Sequence, residues 1–255
     1  MKGNGERMSK IVTLCNQKGG VSKTSTAHLL ALGLKNKGLK VLLVDLDPQT
    51  NLTFIGGAYN EAPTLKEVFT GEVSTEEAIF KRACVDIIPG SAELAGDDLN
   101  GDYLLLKEAL DPIKKKYDLI IIDSPPGLGI LTTNALVASN SVLVPCGADI
   151  LSIQGFSQLY DEIKAVKDNV NKNLKISGLL ITRYDNRTGI SKRFTSELES
   201  ITKRLKLYLY NAKIREGVAI KRYQADELDP FKDKKAGVIQ DYLQLIDEFK
   251  EREGL

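Results

Sequence analysis

Lysine, glycine and hydroxyl side chains lie close together in residues 16–26, NQKGGVSKTST. Lys23 followed by Thr24 is the pair with which a phosphate-binding loop contacts the β- and γ-phosphates and ligates Mg²⁺. The usual pattern of such loops, G-x-x-x-x-G-K-[ST], requires glycines where this chain has Gln17 and Ser22. The segment alone is therefore compatible with a phosphate site or with an ordinary glycine-rich turn.

Acidic side chains follow two other apolar runs. Residues 119–123, LIIID, end in Asp123, and residues 41–49, VLLVDLDPQ, contain Asp45 and Asp47. Because side chains alternate along a strand, Asp45 and Asp47 face the same side. Carboxylates at such positions hold Mg²⁺ or orient a water for attack on a phosphoryl group, although a carboxylate pair that caps a turn would give the same pattern. Taken together, the loop and the acidic strand ends favour a nucleotide site.

The elements that must position these side chains alternate between short β-rich apolar runs and longer helical patterns, which predicts βαβ units. The predicted strands are 11–15, 40–45, 85–89, 119–123, 141–145, 175–182 and 207–210, and the predicted helices are 23–37, 103–116, 131–138, 153–169, 191–205 and 237–251. Continuous Ile/Val/Leu runs are typical of strands buried on both faces. We therefore expect an α/β fold of three layers, with a doubly wound, mostly parallel sheet, helices on both faces, and ligands at the carboxyl ends of the strands.

Four segments resemble the deviant Walker-A ATPases of the ParA/MinD type, a group of phosphate-loop NTPases. They are KGGVSKTST (18–26), VLLVDLDPQTNLT (41–53), YDLIIIDSPPGLGILTTNAL (117–136) and IREGVAIK (214–221). The resemblance covers nearly the whole chain in the right order, and its DLDPQ and DSPPGLG segments are more similar to the partition ATPases than to the MinD branch. It implies one ATPase domain over residues 9–255, preceded by a flexible lead-in of residues 1–8.

The resemblance also implies catalytic and metal-binding roles. Lys18 would be the signature lysine, which reaches across a dimer interface to the partner's nucleotide, and Lys23 would bind phosphate. Asp47 would position the attacking water near the metal, and Asp123 would act through the metal shell. The residues implied for catalysis are Lys18, Lys23 and Asp47, and those implied for Mg²⁺ are Thr24, Asp45, Asp47 and Asp123.

The nucleotide itself would be contacted by the loop and by the first turn of the following helix. The residues implied for this contact are Lys18, Gly19, Gly20, Val21, Ser22, Lys23, Thr24 and Ser25. Family members most often have glycine where this chain has Ser22. Serine disfavours a positive φ angle. Ser22 is therefore the position at which the loop geometry and the turnover rate of this chain could depart from those of the family.

Basic residues are concentrated toward the C-terminus. Residues 187–222 contain ten Lys/Arg and three acids, a net charge of +7 in a chain whose total is +1. Clustered cations of this kind neutralise phosphates without reading sequence, and partition ATPases bind DNA through the C-terminal part of the domain. The candidate DNA-binding residues are Arg187, Lys192, Arg193, Lys213, Arg215, Lys221 and Arg222.

The function implied is that of a ParA-type partition ATPase. MgATP would produce a sandwich homodimer that binds double-stranded DNA non-specifically, and slow hydrolysis would be stimulated by a ParB-like centromere-binding or adaptor protein. We expect a cytoplasmic, nucleoid-associated protein without membrane attachment. No apolar run approaches the roughly 20 residues that a membrane-spanning helix needs, and the last helix carries more acid than base on its polar face.

Three alternatives remain open at this stage. The protein could be a MinD-like positioning ATPase on a membrane, or a nucleotide-gated DNA-binding switch with little turnover. It could also use the same chemistry to position a protein cargo instead of plasmid or chromosomal DNA.

Overall fold

The computed structural model describes residues 8–96, 99–149, 151–217, 219–220, 223, 229–233 and 235–255, with only the backbone described for 151–154. The described residues form one seven-stranded sheet in which all strands are parallel. The strands are β1 (Lys10–Leu14), β2 (Val41–Asp45), β3 (Asp86–Ile88), β4 (Leu119–Asp123), β5 (Ser141–Gly147), β6 (Lys175–Tyr184) and β7 (Leu209–Arg215). Their order is β3-β2-β4-β1-β5-β6-β7. The predicted parallel sheet is confirmed.

Helices cover both faces of the sheet. They are α1 (Lys23–Asn36), α2 (Asn51–Ile55), α3 (Leu65–Thr70), α4 (Leu105–Leu110), α5 (Ile130–Ala138), α6 (Leu151–Asn169), α7 (Gly189–Leu205) and α8 (Gly237–Glu253). Buried side chains of α1 and α8 share one core with alternate residues of the strands, such as Val12 and Leu14. On the opposite face, α4 and α5 pack over β2 and β4, and α6 and α7 pack over β5 and β6.

The strand pairing brings three candidate segments to one edge of the sheet. Leu14 and Asp45 are both Cα partners of Asp123, because β4 pairs with β1 on one side and with β2 on the other. Neighbouring strands lie roughly 5 Å apart. The phosphate loop and the acidic strand ends are therefore adjacent, as the doubly wound arrangement predicts.

Two short helices and the ends of two elements differ most from the sequence prediction. α2 and α3 were not predicted, although Thr64 and Glu67 form a capping box at the start of α3, a pattern that can be read from sequence. The predicted helix 103–116 ends at Leu110 and continues as a 3-10 turn, because Pro112 cannot donate to an α-helical ladder. β7 lies five residues further along at its end than predicted, at Arg215.

The last helix packs on the sheet and also caps its open edge. Tyr242, Leu245 and Phe249 of α8 are fully buried. Its Glu248 accepts hydrogen bonds from the backbone N–H groups of Asn211 (2.7 Å) and Ala212 (3.0 Å), and its Asp241 accepts one from Arg215 N (3.0 Å). These three N–H groups belong to β7, which is the outermost strand at this side of the sheet. Among the described residues, no helix is both long enough and apolar enough to cross a bilayer.

Candidate nucleotide-binding site

The loop between β1 and α1 is fixed by hydrogen bonds to β5 and β6. Asn16 donates from Nδ2 to the Pro145 carbonyl (2.7 Å) and accepts from the Lys18 N–H (2.9 Å). Thr182, from β6, donates its hydroxyl to the Val21 carbonyl (3.0 Å). The first N–H groups of α1 receive no side-chain cap, and such a helix N-terminus is suited to bind an anion. The loop is therefore held in place at a helix N-terminus whose backbone donors are available to an anion.

Two loop residues have left-handed backbone conformations. Gly20 has a φ of 74°, and Ser22, directly before α1, has a φ of 64° and a ψ of 26°. A residue with a Cβ pays about 1–2 kcal/mol for this conformation. Ser22 therefore adopts a backbone conformation that favours glycine, and its departure from the usual pattern is a local strain.

Replacing Ser22 with glycine should raise the free energy of unfolding by about 0.5–1 kcal/mol, since relief of the strain exceeds the added entropy of the unfolded chain. In a chain of this size, that corresponds to a rise in melting temperature of about 1–4 °C, measurable by calorimetry without nucleotide. Ser25→Gly is the matched control, because Ser25 lies inside α1 and its change to glycine should lower stability. A melting temperature of Ser22→Gly below that of wild type would show that the serine is unstrained, because only the added entropy of the unfolded chain would then remain.

The Lys18 side chain lies at the rim of the loop. Its ammonium group is 2.5 Å from Oδ1 of Asp149, which follows β5, and both side chains are more than a third exposed. In this single chain the ammonium is therefore held by a carboxylate of the same protomer. An exposed pair of this kind is worth about 0–1 kcal/mol, so Lys18 can exchange Asp149 for another anion. The trans role implied by the resemblance stays a prediction.

The carboxylate of Asp45 is fully buried and is used to join three segments. Its Oδ2 accepts from the N–H and the hydroxyl of Thr53, both at 2.7 Å, and its Oδ1 accepts from the Asp47 N–H at 3.2 Å. The Thr53 hydroxyl in turn accepts from Gly90 N (2.8 Å). Burial raises the pKa of Asp45 to about 6, against these hydrogen bonds, which lower it. Asp45 thus fixes the geometry of the β2 end, and its place among the metal-shell residues stays a prediction.

Asp123 has the opposite environment. Its side chain is fully buried, and neither carboxylate oxygen has a hydrogen-bond partner among the described residues. Burial, followed by repulsion from Asp45, raises its pKa to about 8, while Thr24 and Lys23 nearby lower it. A buried polar group without a partner is costly. The site therefore has an unmet requirement for a cation or a donor at Asp123.

A magnesium ion bound with phosphates fits this requirement. Within the described part of the chain, no three His, Cys, Asp or Glu side chains lie close enough to form a metal cage. Mg²⁺ is commonly bound by one or two carboxylates together with substrate phosphates and water. Thr24, beside Asp123, and Asp47, whose Oδ1 accepts from Gln49 N (3.0 Å), supply the oxygens expected on the protein side.

The predicted nucleotide and metal residues are brought together, and three contributing residues were not predicted. Asp149, Thr182 and Thr53 hold Lys18, the loop and Asp45 respectively. Thr53 ends the segment 41–53 that carries the resemblance, whereas no local pattern marks Asp149 or Thr182, because each contacts a loop that is more than a hundred residues away along the chain.

The candidate DNA-binding residues divide into two groups. Arg187, Lys213 and Arg215 line one cavity of about 730 Å³ at the ends of β6 and β7. Arg187 pairs with Asp185, Arg215 pairs with Asp241, and Lys213 lies over the ring of Tyr184, 5.2 Å from its centre. Lys192 and Arg193 are exposed on α7. Lys221 and Arg222 lie outside the described residues.

Comparison with known proteins identifies the family. A family model described as an AAA domain matches residues 9–176. The sporulation initiation inhibitor protein Soj of Bacillus subtilis (strain 168) is 39% identical over 75% of this chain and 79% of its own length. The chromosome partitioning protein ParA of Myxococcus xanthus is 36% identical over 79% of this chain and 76% of its own length.

Solved structures of similar proteins have the same fold and contain nucleotide. A crystal structure named as cobyrinic acid a,c-diamide synthase of Mycobacterium smegmatis, with bound ADP and magnesium, is 31% identical and has a TM-score of 0.81 over 94% of this chain and 93% of that one. The same protein with an ATP analogue and magnesium has a TM-score of 0.80. With its relatives, its parallel sheet and its lysine-containing phosphate loop, the chain belongs to the ParA/Soj-type partition ATPases of the deviant Walker-A family.

Proposed function

We propose that the chain binds MgATP at this site and hydrolyses it slowly. The observation that carries the proposal is the buried, unpartnered Asp123 carboxylate beside Thr24 and Lys23, at the N-terminus of an uncapped helix. Mg²⁺ bound there would supply a positive charge to the phosphates. Lys23 would bind the phosphate oxygens, Thr24 and Asp123 would hold the ion, and Asp47 would orient water toward the terminal phosphate.

We further propose that the nucleotide is shared between two protomers in a sandwich dimer. Lys18 is at the rim of the loop, and its only fixed partner within the described residues is the half-exposed Asp149. A lysine supplied by the second protomer would stabilise negative charge on the transferring phosphoryl group. Dimer formation would then require ATP.

The dimer is proposed to bind DNA through α7. Lys192 and Arg193 are exposed and form no ion pair within the described part of the chain, whereas Arg187 and Arg215 are each paired with a carboxylate. Cations that are already neutralised release fewer counterions from DNA than free ones do. We therefore place the main phosphate contact at Lys192 and Arg193, with the cavity at the ends of β6 and β7 beside it.

Replacing both Lys192 and Arg193 with alanine should weaken binding to DNA of any sequence by about tenfold at moderate salt and reduce the slope of log affinity against log salt by about two per subunit. Fluorescence anisotropy with MgATP at several salt concentrations measures both. The control is Lys203→Ala with Arg204→Ala, which removes the same charge from the other end of α7. Equal losses from the two double variants would mean that net charge, and not this site, determines binding.

We propose that a partner protein bound to DNA or cargo stimulates hydrolysis and returns the dimer to monomers. The packing of α8 supports attachment to DNA over attachment to a membrane, because its apolar residues are already buried against the sheet.

The test of the proposed function is DNA binding and phosphate release by the wild type with ATP, with ADP and without nucleotide. ATP-dependent DNA binding with phosphate release above that of Asp47→Ala supports the proposal. ATP-dependent binding without release would leave a DNA-binding switch, and pelleting with anionic vesicles instead of DNA would favour the membrane alternative.

A further inference from the structure

Arg183 has a strained backbone beside the nucleotide site. Its φ is +53°, and it belongs to the non-glycine residues with positive φ, a group that also includes Ser22 in the phosphate loop and Thr50 after Asp47. Such conformations persist only where the surrounding structure enforces them, and they cluster at ligand sites. The strain therefore directs attention to what holds Arg183 and to what its side chain faces.

The residue before Arg183 is clamped from two sides. Thr182 is fully buried, donates its hydroxyl to Val21 O in the phosphate loop at 3.0 Å, and accepts from Ala148 N at 3.0 Å. Arg183 follows this fixed residue with a left-handed backbone, and its side chain lies near the loop. Its Nη1 lies 4.0 Å from the point that a Cβ on Gly20 would occupy. The guanidinium group thus lies against the outer side of the phosphate loop.

The guanidinium group is also free to change partner. Its Nη2 is 3.2 Å from Oε1 of Glu216, and the two side chains are 51% and 68% exposed. An ion pair this exposed contributes little to stability. Because Glu216 follows β7, the contact also ties the ends of β6 and β7 together, which is the purely structural role that an experiment must separate from ligand binding.

The sheet order determines which end of a nucleotide Arg183 meets. The metal-binding carboxylates follow β4 and β2, on one side of β1 and its phosphate loop, and β5 and β6 lie on the other side. The terminal phosphate and the base are at opposite ends of a nucleoside triphosphate. With the terminal phosphate near Asp47 and Asp123, the nucleoside extends toward β5 and β6. Arg183 is therefore at the nucleoside end, away from the transferring phosphoryl group.

We infer that Arg183 is a binding residue for the nucleoside: its guanidinium plane leaves Glu216 and stacks on the base of the bound nucleotide. A planar, delocalised cation stacks on aromatic faces in a way that a lysine does not. The base is such a face, and the position of Arg183 beside Gly20 puts the guanidinium on the β6 side of the phosphate loop, toward which the nucleoside extends. This inference rests on the nucleotide site proposed above, and it assigns Arg183 to affinity for the nucleoside and not to the chemistry of hydrolysis.

The test compares two ligands that share phosphates but not a base. Isothermal titration of MgATP and of magnesium tripolyphosphate is carried out on the full-length wild type, Arg183→Ala and Arg183→Lys. We expect Arg183→Ala to raise the Kd of MgATP about tenfold and to leave the Kd of tripolyphosphate within twofold of wild type. Arg183→Lys should retain the charge without the plane and should resemble the alanine variant. Equal weakening of both ligands, or of neither, would overturn the inference.

Three controls keep the outcomes separate. Arg204→Ala removes an exposed arginine from the C-terminal end of α7, away from the phosphate loop, and it should change neither Kd. Glu216→Gln breaks the same ion pair from the other side, so weaker MgATP binding in this variant would assign the effect to the tie between strands and would count against stacking. Arg183→Gly, whose backbone tolerates the positive φ, replaces the alanine variant if that one unfolds. Failure of the wild type to bind either ligand would instead refute the proposed nucleotide site.

Discussion

Replacing Lys18 with alanine is expected to abolish ATP-dependent dimerisation while MgATP still binds to the monomer. The reason is the position of the side chain: among the residues that the structure describes, Lys18 at the rim of the loop is held only by the half-exposed Asp149, whereas Lys23 is buried beside Asp123. In Lys18→Ala the phosphates bound to one protomer would still contact Lys23 of that protomer. The second protomer would no longer supply a lysine to them. The measurement is molar mass by light scattering with ATP, with ADP and without nucleotide.

The loss of DNA affinity in Lys18→Ala should be larger than any loss caused by a change on the DNA-binding surface. A dimer presents two such surfaces, and joining two sites raises overall affinity by about 10²–10⁴. We therefore expect binding with ATP to fall by about a hundredfold, to the level seen with ADP. DNA binding that is the same with and without nucleotide, or that survives the loss of Lys18, would refute the dimer mechanism.

Two further variants separate the parts of this prediction. Lys23→Ala should lose MgATP binding itself, because the lysine that contacts the phosphates is gone. Asp149→Asn removes the carboxylate that holds Lys18 in the same protomer, and it should shift dimerisation to lower ATP concentration by up to about fivefold, the limit set by an exposed pair worth about 1 kcal/mol. An unchanged midpoint in Asp149→Asn would mean that this ion pair does not oppose assembly.

Replacing Asp123 with asparagine is expected to stabilise the nucleotide-free protein, in contrast to most changes of a buried polar residue. Burial and Asp45 raise the pKa of Asp123 from 3.8 to about 8, so the ionised carboxylate is disfavoured in the folded chain. Near pH 4 the carboxyl is protonated in the folded state at no cost. As the pH rises toward 8, the unfolded chain releases the proton and the folded chain does not, and the free energy of unfolding falls.

The asparagine variant should lack this loss of stability. One pKa unit corresponds to about 1.4 kcal/mol, so the gain at pH 8 is on the order of several kcal/mol and the melting temperature should rise by at least about 5 °C. Thermal unfolding without nucleotide, measured from pH 5 to pH 8 in wild type and variant, gives the difference. It should grow with pH; a constant difference would contradict titration of Asp123 as its source.

Asp45→Asn is the matched control for Asp123→Asn. Asp45 and Asp123 are Cα partners on the neighbouring strands β2 and β4. Unlike Asp123, Asp45 accepts hydrogen bonds at both carboxylate oxygens, from Thr53 and from Asp47. Exchange of one oxygen for an amide group replaces an acceptor by a donor, and this should destabilise the chain at every pH.

With saturating MgATP, Asp123→Asn should show a smaller gain in melting temperature than wild type, because the bound metal ion loses a carboxylate.

Much of the site could be predicted because it follows the ends of strands. Asp45, Asp123 and the phosphate loop stand directly after apolar runs, and a parallel sheet places all such positions at one edge. Asp149 and Arg183 could not be found in this way. Their roles depend on which strands become neighbours and on a backbone angle that an arginine rarely adopts, and neither property is encoded in local spacing.

The elements of the fold were likewise predicted where a local sequence pattern marks them and missed where none does. Long helices and buried strands were predicted with small errors at their ends, because burial on one or both faces leaves a periodic pattern. The end of β7 was missed since its exposed residues, Asn211 and Arg215, and the half-buried Lys213 interrupt the apolar run. α2 has five residues and too few turns to show a helical period.

The carboxylates that α8 places along β7 bear on how the protein can self-associate. A parallel sheet with a bare outer strand can join another such sheet through backbone hydrogen bonds, a contact that needs no ligand and is slow to undo. Glu248 and Asp241 occupy N–H groups of β7 that such a contact would use. Growth by strand addition is thereby suppressed at this side of the molecule. In the proposed function, association uses the surface around the phosphate loop, where adding or removing a nucleotide would make it reversible.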